Sequence, residues 1–246
     1  MEIIPIRVDK KIRPDDDLPS AVVNALRKSG IKLRDGDVIA VAQSVVSKAE
    51  GRIVKLRDVR PSGKAKRIAK KVGKDPREVE IILRESARLV RVAHVLIAQT
   101  KHGFVCGNAG VDRSNAPPGC VTLLPSDPDW WAEKIRERIQ RDTGARVAVV
   151  ITDSQGRPFR MGAVGYAIGV AGMKPLMDLK GKKDLYGRKL RSTIVCPADA
   201  LAAAAVLVMG EGGEKIPVVV IRGAPYKQGE GKIKELLRPR ERDLFL

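Results

Sequence analysis

Residues 147–172 read VAVVITDSQGRPFRMGAVGYAIGVAG, a fully apolar run followed by Thr-Asp-Ser and a glycine-rich segment. The β-branched run at 147–151 predicts a buried strand, so Asp153 and Ser154 stand where the chain leaves the core. Glycine lets another backbone or a ligand approach closely; the glycines here are Gly156, Gly162, Gly165, Gly169 and Gly172. Two interpretations stay open: a plain hairpin with its turn at 154–156, or a metal-phosphate site.

The composition is that of a globular protein, with 43% apolar and 31% charged residues in a chain of 246. That length fits one large domain or two modest ones. No apolar run reaches the roughly 18 residues of a membrane span, and the first residues lack the pattern of a signal peptide. Cys106, Cys120 and Cys196 form no Cys-x-x-Cys pair and are expected to be buried thiols. We therefore expect a cytoplasmic protein.

The formal net charge of +18 indicates a surface that attracts anions. Aromatic residues are only 3% of the chain, which disfavours the stacking platforms that bind single-stranded nucleic acid. Lysine and arginine are spread among acidic residues, as on the surface of a thermostable protein. Small anionic ligands are therefore favoured over nucleic acid, and the thermostability explanation stays open.

Strands and helices are mixed without a strict alternation, which favours an α+β or mixed α/β fold over a doubly wound sheet. Asp17 is the expected N-cap of the first helix, and Gly30 its stop. Lys101-His102 is expected to join two strands in a hairpin. Strands are predicted at 3–8, 37–46, 90–99, 103–107, 120–124, 193–196 and 216–222, and helices at 18–29, 63–72, 77–89, 131–143 and 198–209, with loop or short helix at 178–188.

Three predicted loops carry groups that suit a hard divalent cation: Asp112 in NAGVDRSN, Asp153-Ser154 in TDSQGR, and Glu211 in MGEGGE. Each acid alone is typical of a turn, but three such loops together favour a site. Phosphate needs backbone N–H groups or cations, which residues 210–213 and Ser47-Lys48 can supply. No standard nucleotide-binding motif is present, and serine hydrolase or zinc chemistry is poorly supported.

Five segments together resemble the coenzyme F420-0:L-glutamate ligase family, from about residue 3 to about residue 240. They are GDVIAVAQSVVSKAEGR (36–52), NAGVDRSN (108–115), ITDSQGRPFRMGAVGYAIGVAG (151–172), KDLYGRKL (183–190) and LVMGEGGEKIPVVVIRG (207–223). The resemblance implies one ligase domain over residues 1–246, with any division into subdomains left open. It implies mixed and antiparallel sheets flanked by helices, in an intertwined homodimer.

The resemblance also implies an activity. Such an enzyme uses GTP to join the amino group of L-glutamate to the lactyl carboxylate of F420-0, releasing GDP and phosphate, and members can add a second, γ-linked glutamate. The family works with two divalent cations, Mg²⁺ or Mn²⁺, and with K⁺. An amide forms from a carboxylate only after activation, most plausibly as an acyl phosphate, and phosphoryl transfer depends on positioning and charge neutralisation.

Matching the motifs residue by residue places Asp112 and Asp153 as catalytic ligands of one divalent ion, and Ser154 and Glu211 as ligands of the other. The implied GTP contacts are Gln43, Ser44, Lys48, Asn115, Met209, Gly210, Glu211, Gly212, Gly213, Glu214, Lys215 and Ile216, with Asp9, Lys10, Lys11 and Ile12 on a looser alignment. This chain has Ser154 where threonine is usual, which keeps the hydroxyl, and Gln43 where a small hydroxyl residue is usual.

Two alternatives remain beside this interpretation. A paralogue of the same fold would ligate another amino acid or another phosphorylated acceptor. A basic nucleic-acid-binding module would show steeply salt-dependent binding. With the ligase interpretation we expect small-molecule substrates, a homodimer, and neither nucleic acid nor membrane as partner.

Overall fold

The computed structural model describes residues 1–243 and has six helices and twelve strands in that range. The strands are β1 Glu2–Ile6, β2 Val38–Ala42, β3 Ile53–Lys55, β4 Ser86–Val92, β5 Leu96–Thr100, β6 Val105–Gly107, β7 Cys120–Thr122, β8 Ala148–Arg157, β9 Arg160–Ala171, β10 Met177–Asp178, β11 Ile194–Val195 and β12 Val218–Arg222. The helices are α1 Leu18–Lys28, α2 Gln43–Ala49, α3 Gly63–Val72, α4 Pro76–Glu85, α5 Pro128–Thr143 and α6 Pro197–Met209. The predicted α+β class is confirmed.

The central sheet has five strands in the order β1-β12-β2-β8-β9. Only β2 and β8 pair in parallel, with Val41 opposite Ile151, and the other neighbours are antiparallel. Side chains alternate between the faces of β8: Val149 and Ile151 join the core under α1 and α5, whereas Ala148 and Val150 join the core under α6. Because both faces are covered, the central strands are apolar throughout.

A third hydrophobic cluster is formed by residues between Leu56 and Leu123. It contains Val79 and Ile82 of α4, Leu96 of β5 and Val121 of β7. The three-stranded sheet β4-β5-β6 and the pair β3-β7 frame it, and α3 packs on it through Ala65 and Ala69. This unit supplies the loop that contains Asp112. The single-domain assignment to residues 1–246 stays a prediction, and residues 244–246 lie outside the described range.

The β8–β9 hairpin was predicted, but its turn was placed wrongly. The turn is at Pro158-Phe159 rather than at 154–156, and β8 continues as a strand through Asp153 and Ser154. The close approaches expected at the glycines are confirmed at three positions. A Cβ at Gly165 would lie 2.4 Å from the Ala202 carbonyl oxygen, and Gly169 and Gly172 similarly meet Pro128 and Val147; Gly156 and Gly162 have nothing within 4 Å.

Several predicted boundaries were wrong for reasons of tertiary packing. Residues 43–49, expected to end a strand, form α2, because Val45, Val46 and Ala49 present one helical face to the core. The predicted helix at 77–89 ends at Glu85, and the chain then pairs as β4 with β5, so the strand expected at 90–99 is two strands. Helix α5 begins at Pro128, three residues early, with Asp127 as its N-cap.

The remaining helices match the sequence pattern closely. Helix α3 has the predicted bounds, with Ser62 as N-cap and left-handed Gly73 as its end. Asp17 caps α1 by accepting the backbone N–H of Ser20 at 3.0 Å. Within residues 1–243, no helix combines the length and the apolar character needed to cross a membrane.

Candidate active site

The candidate site begins where β8 leaves the buried sheet. Burial is complete to Thr152 and becomes partial at Asp153 and Ser154. Because β2 and β8 are parallel, with Ala42 opposite Thr152, their carboxyl ends meet at one sheet edge. Helix α2 starts at this edge directly after β2. Loops at the carboxyl ends of neighbouring parallel strands are the usual place for a site in an open sheet.

The surroundings of Asp153 shift its pKa strongly. The pKa of Asp153 is raised to about 6, mainly by burial; a hydrogen bond from Gln155 at 3.1 Å opposes the rise, and the charges of Asp112 and Glu211 contribute to it. None of the three acids forms an ion pair with a lysine or arginine of the described chain. The edge therefore holds three mutually repelling carboxylates with no cation supplied by the protein.

Asp112 follows a left-handed turn and is tied into β-structure. Asn108 and Ala109 both have a φ of 53°, and Gly110 has 72°. A Cβ at Gly110 would lie 2.4 Å from Leu124 Cγ, so this turn requires glycine there. The backbone of Asp112 then pairs with that of Thr122 at 2.8 and 3.1 Å, which fixes Asp112 in position, and its charge acts on Asp153.

Direct hydrogen bonds join the loops. The Ser154 hydroxyl donates to Glu211 Oε1 at 2.5 Å. Asn115 Nδ2 donates to the Gly212 carbonyl oxygen at 3.3 Å, which links the loop after Asp112 to the glycine-rich loop after α6. The Asp112 carboxylate also accepts the backbone N–H of Ser114 at 3.0 Å. Loops that are distant in sequence therefore meet, as the three-loop hypothesis requires.

The glycine-rich loop at 209–216 is shaped by its own residues. Gly210 has a φ of 72°, and Glu214 accepts the N–H of Gly212 at 2.8 Å, so Glu214 folds back on the loop. The backbone N–H of Val8 donates to the Lys215 carbonyl at 2.9 Å. That bond places the 9–12 loop beside 209–216, although Asp9 pairs with Arg7, Lys10 pairs with Asp16, and Ile12 is buried in the core.

The predicted contacts on α2 differ in availability. Gln43 is buried, and its amide donates to Ser47 Oγ at 2.8 Å and to the Leu123 carbonyl at 3.2 Å. Gln43 therefore holds α2 against the backbone that directly follows β7. Ser44 and Lys48 are partly exposed, and burial lowers the pKa of Lys48. Lys48 has no ion pair among residues 1–243, which leaves its ammonium group available to an anion.

Sequence reasoning missed two buried groups next to the acids. Cys106 is 5% exposed, and burial, followed by the charge of Asp153, raises the pKa of its thiol to about 12. The Thr152 hydroxyl is buried, with no hydrogen-bond partner in the described structure. The predicted strand ended at Ile151, so Thr152 was not expected to be buried, and no sequence signal placed Cys106 beside Asp153.

The donor set suits hard cations that bring other ligands with them. Residues 1–243 contain no group of three acidic, histidine or cysteine side chains arranged to hold a metal ion by themselves. A nucleotide-bound Mg²⁺ or Mn²⁺ takes only one or two carboxylates, with phosphate and water completing its shell. The uncompensated carboxylates and the Ser154 hydroxyl fit that need. A cleft of about 330 Å³ lies at the other end of β8, beside Val147 and Gly172, and none of these acids lines it.

An α+β fold with convergent, uncompensated carboxylates at a sheet edge is the arrangement of an enzyme. The family model for F420-0:Gamma-glutamyl ligase matches residues 6–223. The chain belongs to this family and is therefore a ligase.

Named relatives are similar in sequence to this chain over nearly their whole length. A protein of Methanothermobacter thermautotrophicus, named coenzyme F420:L-glutamate ligase, is 52% identical over 94% of this chain and 92% of its own. Proteins of the same name from Methanopyrus kandleri and Archaeoglobus fulgidus are each 46% identical, over 100% of this chain and 97% and 96% of theirs. The resemblance found in the sequence is thus confirmed.

Proposed function

We propose that this protein is a coenzyme F420:L-glutamate ligase that uses GTP to form an amide between L-glutamate and the lactyl carboxylate of F420-0. The observation that carries the proposal is the meeting of Asp112, Asp153 and Glu211 at one edge without a protein cation. Relatives of that name at 46–52% identity support the acceptor and the amino acid. Addition of a second, γ-linked glutamate is part of the same proposal.

The reaction balances in two steps. The γ-phosphoryl group of GTP moves to the lactyl carboxylate, which releases GDP and leaves an acyl phosphate. The glutamate amine, after losing a proton, then attacks the acyl carbon, the C–N bond forms, and inorganic phosphate leaves. Both steps bring anions together, so they depend on positioning and on neutralising charge.

The chain's residues would hold the reactants in place. Asp112 and Asp153 would hold one divalent cation, and Ser154 and Glu211 the other. When bound, the two cations, Mg²⁺ or Mn²⁺, neutralise the phosphate charge and orient the transferred group. An arrangement of this kind explains why the chain tolerates a carboxyl at Asp153 with a raised pKa.

The nucleotide would lie between the 209–216 loop and α2. Backbone N–H groups of the glycine-rich loop are suitable phosphate donors, and Asn115 fixes that loop by its bond to Gly212. Lys48 of α2 is a partly buried cation with no ion-pair partner among residues 1–243, so its ammonium group can meet a phosphate. Gln43 would act through α2 rather than by touching GTP, because both its amide hydrogens have protein acceptors. The requirement for K⁺ is carried over from the family resemblance alone.

A homodimer is part of the proposal, supported by exposed apolar side chains. The segment between β10 and β11 is held by its own backbone bonds, such as Leu179 N–H to the Thr193 carbonyl at 2.9 Å. Within it Leu185 is 100% and Tyr186 88% exposed, and Leu207 of α6 is 83% exposed. Apolar surface of this kind is typical of an interface. Light scattering should give twice the chain mass, and a monomer would contradict this.

Incubation of the pure protein with GTP, Mn²⁺, F420-0 and L-glutamate tests the proposal. We expect a product heavier by one glutamyl residue and one GDP released for each bond formed. Reactions with ATP in place of GTP, or with another amino acid in place of glutamate, are the controls. Consumption of a different amine with GDP release would favour a paralogous ligase, and no product with any nucleotide would contradict the proposal.

The three free cysteines support the expected cytoplasmic location.

A further inference from the structure

Helix α3 carries an unusual concentration of positive charge on its exposed surface. Five of its ten residues are cations, and none is acidic. They are Lys64, Lys66, Arg67, Lys70 and Lys71. All five are exposed, because the buried residues of the helix are Ala65 and Ala69. None of the five forms an ion pair with any residue in the range 1–243. We call this set the α3 cations.

The acids near α3 are already engaged elsewhere. Residues 53–122 contain 15 lysines and arginines but only six acids. On α4, Glu78 pairs with Lys74 and Arg113, and Glu80 pairs with Arg84. The other acids of the range also have partners: Asp58 pairs with Arg57, Asp75 with Arg77, Glu85 with Arg52, and Asp112 lies in the candidate site. None of these six acids pairs with a cation of α3.

Helix α5 shows what a balanced basic surface looks like in the same protein. It has four cations, and three of them are paired within the helix: Lys134 with Glu137 at 2.9 Å, Arg136 with Glu133 at 2.6 Å, and Arg138 with Asp142 at 2.8 Å. Such networks are expected of a thermostable surface. Thermostability explains α5, but it does not explain α3, where like charges three and four residues apart repel each other.

The chemistry of the α3 cations selects the kind of partner. A helix that inserts into a membrane needs exposed apolar residues, and the buried residues of α3 are its alanines Ala65 and Ala69, so insertion is disfavoured. A specific protein interface is depleted in lysine and enriched in aromatic residues, whereas four of the five cations are lysines and residues 53–103 contain no aromatic ring other than two histidines. The lack of aromatic side chains also disfavours single-stranded nucleic acid.

We propose that the α3 cations bind the phosphate backbone of a double-stranded nucleic acid without reading its base sequence. A ten-residue helix is about 15 Å long, and a duplex carries one charge for each ~1.7 Å of its axis. The helix therefore spans about nine duplex charges, enough for each α3 cation to meet a phosphate. Within residues 1–243 none of the α3 cations pairs with an acid of the candidate site, and binding to them does not depend on the ligase activity.

Fluorescence anisotropy with a short duplex, in DNA and RNA versions, tests this inference. The double variant Lys66→Glu/Lys70→Glu should bind at least about tenfold more weakly than wild type at low salt, and the slope of log affinity against log salt should fall by about 2, since each phosphate contact contributes ~0.9. Lys66→Gln/Lys70→Gln should give a smaller loss in the same direction. The matched control is Lys28→Glu/Arg141→Glu, which makes the same net charge change at exposed, unpaired cations of α1 and α5.

The control should bind within about twofold of wild type, and all variants should ligate glutamate as wild type does. The DNA and RNA arms show which duplex is preferred. Equal weakening by the α3 and control variants would mean that net charge alone is responsible, and would overturn the inference. So would the absence of duplex binding at about 50 mM salt, or tighter binding of poly-L-glutamate than of either duplex.

Discussion

Two groups of carboxylates in this protein have surroundings that shift the pKa in opposite directions. At the start of α4, the pKa of its N-cap Asp75 is lowered to about 2, mainly by the hydrogen bond from Arg77, and Glu78 and Glu80 each pair with a cation. At the sheet edge, the pKa of Asp153 is raised to about 6, mainly by burial. Arg113 stands next to Asp112 in sequence, yet its guanidinium turns to Glu78 at 2.7 Å.

The difference separates acids that stabilise the fold from acids kept for a ligand. Ionised Asp75 favours folding because its charge is compensated. Ionised Asp153 opposes folding, because burial and two neighbouring charges act on it without a protein cation. A chain with 47 lysines and arginines has cations to spare, so their lack at this edge is informative. It is the expected state of a site that receives its cations together with a nucleotide.

The largest expected effect comes from removing one charge at the edge. Asp153→Asn keeps the shape of the side chain but removes a proposed metal ligand, so ligation should fall at least about 100-fold. The matched control, Asp75→Asn, should keep wild-type turnover. The initial rate of GDP release measures both. Turnover near wild type in Asp153→Asn would mean that the site lies elsewhere.

The same two variants should move stability in opposite directions in the metal-free protein. The stabilising contribution of protonated Asp153 is complete below its unfolded pKa near 4 and is lost as the pH rises through about 6. In chelator at pH 7.5, Asp153→Asn should therefore raise the free energy of unfolding, by up to about 3 kcal/mol. Urea denaturation from pH 4 to 8 measures this, and an increase that persisted at pH 4 would contradict the cause given.

For Asp75 the sign is reversed. Its contribution is present above pH 3.8 and is lost as the pH falls through about 2. Asp75→Asn should lower the free energy of unfolding at pH 7.5 by about 1 kcal/mol, a value reduced for solvent screening. Both variants should converge toward wild type at acid pH, Asp153→Asn already near pH 4 and Asp75→Asn only as the pH falls through about 2. The same direction of change in both would remove the distinction between the two groups.

A smaller effect is expected from the Ser154 hydroxyl, which joins β8 to the glycine-rich loop after α6. Ser154→Ala removes the donor to Glu211 and should lower ligation about tenfold, mainly by weakening apparent affinity for Mn²⁺. Ser154→Thr keeps a hydroxyl and should remain within about threefold of wild type. Titration of activity with Mn²⁺ compares them. Wild-type Mn²⁺ dependence in Ser154→Ala would contradict the role given to the hydroxyl, and a loss in Ser154→Thr as large as that in Ser154→Ala would show that a hydroxyl alone is not sufficient.

The smallest expected effect concerns Arg113, whose guanidinium pairs with Glu78 rather than with neighbouring Asp112. Glu78→Gln removes the 2.7 Å partner of Arg113 and should cost below about 1 kcal/mol of stability, since Arg113 is half exposed. The guanidinium then keeps only its pair with Asp75 at 3.6 Å and can compete for Asp112. The Mn²⁺ concentration for half-maximal rate should rise about two- to threefold, with the maximal rate unchanged. Glu80→Gln, which frees Arg84 instead, is the control and should leave the Mn²⁺ requirement unchanged.

The parts of the fold that local chemistry determines were predictable. Helix α3 has the predicted bounds because Ser62 and Gly73 are clear end signals, and Asp17 caps α1 for the same reason. The predictions for residues 43–49 and for β4 were wrong, because an apolar β-branched run fits either a helix or a strand. The partners that decide between the two are distant in sequence.

The candidate site divides in the same way. Asp112, Asp153 and Glu211 stood out as acids in glycine-flanked loops, and the structure brings them together. The engaged state of Gln43 and the position of Cys106 depend on packing between α2, β6 and β8, which no local pattern reveals. The activity itself was indicated by family resemblance rather than by residue chemistry.

Binding of Mn²⁺, followed by electron paramagnetic resonance in the presence of GTP, tests the central claim most directly. Wild type and Asp75→Asn should take up two Mn²⁺ per chain with equal affinity, whereas Asp153→Asn should lose at least one of them. Unchanged binding of both ions in Asp153→Asn, or an equal loss in Asp75→Asn, would contradict the claim that the uncompensated acids of the sheet edge form the metal site.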